Sequence, residues 1–123
     1  MIKEDYVSFE TAKLLKEKGF DEQTRFAYTE SGKADFSSLT RYWNQGSLYA
    51  CPSQSMAMKW LREVYNIFIE ISVSIDLNGK YHYSYFILDR ECKYVRKGYT
   101  DFDWNYNQAC EEAIKYCLEN LVY

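Results

Sequence analysis

The stretch NIFIEISVSIDLNGKYHYSYFILD, Asn66 to Asp89, decides the fold. Its first half alternates apolar and polar residues, Asn-Gly follows, and the second half alternates again. Successive side chains of a strand point to opposite faces, so the pattern predicts two half-buried strands joined by a tight turn. With Asn78 and Gly79 as a two-residue loop, a type I′ turn is expected and Leu77 faces Lys80. Ile75, Val73, Ile71 and Ile69 then oppose His82, Ser84, Phe86 and Leu88, and the isoleucine-valine side becomes the core face. Tyr81, Tyr83 and Tyr85 fall on the other face, across from Asp76, Ser74 and Ser72, polar neighbours that a dry core does not take. A slip of one residue would exchange the two faces.

Helices are expected on either side of this hairpin. In SFETAKLLKEKGF, Ser8 suits an N-cap, Glu10 lies in the first turn and Gly19 can close the end; Phe9, Ala12, Leu14 and Leu15 form the apolar side. CPSQSMAMKWLREVYN predicts a second helix capped by Ser53, with Met56, Ala57, Trp60, Leu61 and Val64 as its stripe. A third begins near Asn105, which with Gln108 resembles a capping box. Its stripe is Tyr106, Ala109, Cys110, Ala113, Ile114, Cys117, Leu118 and Leu121. ECKYVRKGY adds a strand, with Tyr94 and Arg96 on one side and Val95 on the other. Residues 20–50 are less legible: Ser31-Gly32 suits a hairpin tip, and Phe36, Tyr42, Trp43 and Tyr49 suit a loop that folds back on aromatic anchors. No internal repeat is visible. The expectation is one α+β domain over residues 1–123, an antiparallel sheet of three to five strands with about three helices packed mainly on one face.

Composition narrows the function. The 123 residues are 47% hydrophobic and 19% aromatic, with 13 tyrosines, ample for one core. A net charge of -3 argues against nucleic acid as the default partner, since phosphate binding rests on clustered Lys and Arg. The four cysteines form no C-x-x-C pair, and with one histidine they offer no zinc spacing. Buried free thiols in a reducing cytosol are expected. The N-terminal residues lack the apolar run of a signal peptide, and no stretch is long enough to span a membrane. No nucleophile, base and orienting group are recognisable together: His82 suits a half-buried position, and Glu111 with Glu112 suits a solvated helix face. No cofactor is expected.

Binding is therefore the expected mode of action. Tyr81, Tyr83 and Tyr85, with Arg41, Tyr42 and Trp43, are the candidate binding residues, because Tyr, Trp and Arg concentrate at protein interfaces. The same tyrosines would serve a single-stranded nucleic-acid binder by stacking bases, or pack in a structural homodimer.

Three segments carry a resemblance: ETAKLLKEKGFDE, CPSQSMAMKWLREVYNIFIEI and NQACEEAIKYCLENL. They resemble a family of small phage and mobile-element proteins of gut Bacteroidetes, a family with no assigned function. Its patterns fall on Lys16–Glu22, Pro52–Glu63 and Tyr106–Leu118. The resemblance implies an accessory protein acting in the host cytoplasm and brings no catalytic residue or cofactor. By analogy with that setting, a host or phage protein is the expected partner.

Overall fold

The computed structural model describes residues 2–35, 44, 46–98 and 105–123. Within them the chain runs α1 (Phe9–Glu17), β1 (Phe26–Tyr28), β2 (Ala34–Asp35), β3 (Tyr49–Cys51), α2 (Gln54–Tyr65), β4 (Phe68–Ile75), β5 (Tyr81–Leu88), β6 (Tyr94–Gly98) and α3 (Tyr106–Asn120). The class is α+β as expected, with the strands divided between two antiparallel three-stranded sheets, β2-β1-β3 and β4-β5-β6.

Each helix starts where a side chain can satisfy the open N–H groups of the first turn. Ser8 accepts from the Thr11 N–H, Ser53 from Met56 and Asn105 from Gln108, the last completed as a capping box by Gln108 reaching back to the Asn105 N–H. At the end of α1 the Gly19 N–H donates to Lys16 and the Phe20 N–H to Leu15, which seats the Phe20 ring in the core. The core joins Val7, Leu15, Phe20, Trp60, Leu61, Ile67, Tyr85, Ile87, Ile114 and Leu118. The stripes predicted for α2 and α3 are narrower than expected at their edges: Met56, Val64 and Tyr106 are exposed. Buried Gln54 joins the inner side of α2 instead.

The β4–β5 hairpin forms as expected, but one residue out of the expected register. Ile75 pairs with Tyr81, Val73 with Tyr83, Ile71 with Tyr85 and Ile69 with Ile87. The tyrosines therefore share a face with the isoleucines instead of opposing them, and His82 lies across from Ser74 on the other side. The turn explains the slip. Asp76 donates its N–H to the Lys80 carbonyl and accepts the Gly79 N–H on its own carbonyl, enclosing a three-residue loop, Leu77-Asn78-Gly79. Its side chain accepts from the N–H groups of Asn78 and Lys80 at 2.8 and 2.9 Å. A type I′ turn needs positive φ at both central residues, whereas here Gly79 alone has it, at 80°. The Asp76 carboxylate selects the longer loop by satisfying N–H groups that a two-residue loop would not present.

The same loop recurs twice. In Asp89–Lys93 the Asp89 N–H donates to Lys93 and the Cys92 N–H to Asp89, and the Asp89 side chain accepts from Glu91 and Lys93. In Thr29–Lys33 the Thr29 N–H donates to Lys33 and the Gly32 N–H to Thr29. The fourth residue takes positive φ each time: Gly32 at 82°, Gly79 at 80° and Cys92 at 60°. The shared pattern is [TD]-x-x-[GC]-K.

A bulge at Ile87/Leu88 also corrects the sides expected for β6. Tyr94 packs on Phe86 on the outer face, while Arg96 lies over the Tyr116 ring of α3 on the inner one. Cys92 carries a side chain in a conformation that costs an L-residue about 1–2 kcal/mol. Cys92→Gly is expected to raise stability by about 0.5–1 kcal/mol, and Gly79→Val to lower it by about 1 kcal/mol or more, both read by denaturant melts.

Candidate functional site

Register and helix placement together grade the tyrosine stripe from core to solvent. Tyr85 is 4% exposed, Tyr83 is half-buried and Tyr81 is 61% exposed. The Tyr85 ring lies directly on β6 at Gly98, where a Cβ atom would stand 2.2 Å from the ring, so only glycine admits it. Helix α3 covers this part of the face. Its first residue, Tyr106, meets the Tyr83 ring edge-on at 5.8 Å between centroids. Beyond that contact the hairpin extends past the helix. There Val73 and Ile75 are 55% and 60% exposed, beside Tyr81, and Leu77 is fully exposed.

The expected site is therefore rearranged. Tyr85 belongs to the core, and Tyr81 remains available with Tyr83 at its border. The aliphatic residues assigned to the core, Val73 and Ile75, stand in the open beside Tyr81. Arg41, Tyr42 and Trp43 lie outside the described residues. Alternation alone does not separate the two faces; the signal that does is Asp76, four residues before a lysine, with glycine between them.

The other face of the hairpin is polar around the turn. His82 Nε2 lies 2.8 Å from the Asp76 carboxylate, and this bond, then the backbone N–H groups of Lys80 and Asn78, holds the Asp76 carboxyl below its usual range. Glu70, Ser72 and Ser74 continue that face along β4.

Glu111, expected on a solvated face, sits where α1, α2 and α3 meet. One carboxylate oxygen accepts from the Ser8 N–H at 3.2 Å, from the Ser8 hydroxyl at 2.9 Å and from the Thr11 hydroxyl. The other accepts from Gln54 Nε2 at 3.2 Å, which also donates to the Asn107 carbonyl. A carboxylate engaged by these donors ties the three helices together.

All four cysteines are free. Burial pushes the thiols of Cys51 and Cys110 up to about 11 and that of Cys117 up to about 12, so they stay protonated and unreactive at neutral pH. Cys92 is exposed, against the expectation that every thiol is buried. Among the described residues no cluster of His, Cys, Asp and Glu could hold a metal ion, and no helix is long and apolar enough to cross a membrane. Comparison with protein-family models, curated proteins and solved structures finds no match.

Two outcomes are expected. Tyr85→Ala should cost about 3–5 kcal/mol by leaving a cavity over β6, and Tyr81→Ala less than about 0.5 kcal/mol, measured by denaturant melts. In the native protein an alkylating reagent without reductant should label Cys92 alone, with all four thiols labelled after denaturation. Mass spectrometry reads both states, and a molecule two protons lighter would reveal a disulfide and refute the assignment.

Proposed function

We propose that this chain is a non-enzymatic protein-interaction module that docks through the apolar tip of the β4–β5 hairpin. Val73, Ile75, Leu77 and Tyr81 form the contact, with Tyr83 and Tyr106 at its inner border. The observation that carries the reading is their exposure: four large apolar side chains on one projecting hairpin, with charged and hydroxyl groups on the reverse. Contiguous apolar surface of this kind marks interaction sites, whereas isolated exposed apolar residues are ordinary. Tyrosine suits such a place because it supplies contact area at low cost in side-chain entropy.

The setting implied by the sequence resemblance, a phage or mobile-element accessory protein working in the host cytoplasm, fits a role exerted by binding. The alternative of single-stranded nucleic acid loses support with the register. Base stacking needs several open rings in a row, and Tyr85 is buried while Tyr83 is engaged by Tyr106.

The test compares tagged wild type with Ile75→Lys and Tyr81→Lys as baits for host extract and for untagged copies of the chain itself. Both positions are exposed, so both variants should keep the wild-type melt to within about 0.5 kcal/mol. Each should lose about tenfold or more in affinity for the wild-type partner. Retention of the same partners at the same affinity by both variants would sink the reading.

A further inference from the structure

The edges of the two sheets are not equally guarded. A free strand edge presents unpaired N–H and C=O groups, and folded proteins blunt it with shortness, bulges, lysine or proline. β2 and β3 have two and three residues. β6 has five, a bulge against its neighbour, and Arg96 and Lys97. β4 has none of these protections. It runs for eight residues in unbroken register with β5, contains no lysine or proline, and carries one charge, Glu70.

The turn fixes which groups face outward. Because the Asp76 N–H bonds to Lys80, the even-numbered residues of β4 direct their backbone groups to β5. Ile69, Ile71, Val73 and Ile75 direct theirs away from the sheet, and among the described residues β4 has no second strand partner.

We propose that the partner of this face is a second copy of the chain, with β4 pairing antiparallel to its own copy about a twofold axis at Ser72. The proposal rests on the hairpin-tip reading above and names the occupant. About Ser72 the strand is self-complementary. Ile71 meets Val73 and Ile69 meets Ile75, each pair exchanging two backbone hydrogen bonds, while Glu70 meets Ser74. The two sheets become one of six strands. The exposed Val73 and Ile75 of each copy come beside Ile71 and Ile69 of the other, which are partly buried against its core. Such an interface is isologous and closes on itself, giving a dimer instead of a fibre. An axis at Val73 would oppose Glu70 to Asp76, two carboxylates, and an axis at Ile71 would leave Ile75 facing buried Ile67.

Sedimentation and light scattering over a wide concentration range should show a species of twice the 14.7 kDa chain mass. Val73→Lys and Ile75→Lys should shift it to monomer with unchanged circular dichroism. Ser72→Cys, made in the Cys92→Gly background, should oxidise to an interchain disulfide, because Ser72 meets its own copy at a closely spaced, non-hydrogen-bonded position. Glu70→Cys in the same background should crosslink far more slowly. A dimer that both lysine variants leave intact, or that Ser72→Cys fails to link, overturns the proposal. So does a wild type that is monomeric throughout. In that case, loss of heterologous capture by the lysine variants would leave the hairpin-tip reading standing, and unchanged capture would remove it as well.

Discussion

The left-handed residue at the end of each hairpin loop is the constraint on which the sheet depends. Once Gly79 takes positive φ and Asp76 gathers the loop N–H groups, the pairing of every residue in β4 and β5 follows. A two-residue loop would have turned Tyr85 outward and placed His82 on the isoleucine face, across from Ile75. The three-residue loop instead brings Tyr85 and Ile87 inward, paired with Ile71 and Ile69. Odd-numbered residues across these strands form non-hydrogen-bonded pairs, whose side chains approach most closely, so this face packs densely wherever a helix covers it.

Coverage is decided by where α3 lies, and α3 is held at successive points along its length. Glu111 near its start ties it to the first turns of α1 and α2. Farther along, Tyr116 stacks under Arg96, and Lys115 pairs with Glu10 at 2.9 Å. Tyr85 fits between helix and sheet only because β6 offers Gly98 there. Two small features, one saturated carboxylate and one missing Cβ, thus set the boundary between core and projecting hairpin. Even half-buried, this carboxylate costs some desolvation, which its several donors offset; removing a donor would leave part of that cost uncompensated.

Much of this fold is legible in the sequence, and the remainder is hidden for physical reasons. Helix starts are readable because capping is local chemistry: Ser8, Ser53 and Asn105 each act on residues within one turn. The hairpin is readable because two alternating runs flanking Asn-Gly fit almost no arrangement but paired strands. Its register is not, because Asn-Gly serves both loop lengths and the choice falls to a side chain just outside the pair. Asp89-Arg90-Glu91-Cys92-Lys93 hides the same turn behind a cysteine where glycine is usual. Glu111 looks solvated because Ser8 and Thr11, its main partners, are about a hundred residues away in the chain. The candidate site is half legible. Tyr81 and Tyr83 belong to it and Tyr85 does not, while Val73, Ile75 and Leu77 escape notice because apolar residues on an alternating strand read as core.

Those three residues separate what the fold requires from what it merely permits. Ile71 and Ile69 are partly buried, so folding alone favours their apolar side chains. Val73 and Ile75 remain more than half exposed, and Leu77 sits fully exposed at a loop position where a polar residue would serve the turn as well or better. Strand propensity accounts for a β-branched residue at positions 73 and 75, but threonine would satisfy that preference without exposing as much apolar surface. On the opposite face the same strand places Ser72 and Ser74, with Asp76 just beyond, so polar residues are compatible with this hairpin and occupy one side only. Isolated folding stability gives no reason for that one-sidedness. The docking proposed for this hairpin does, because exposed apolar area is removed from water only when a partner covers it.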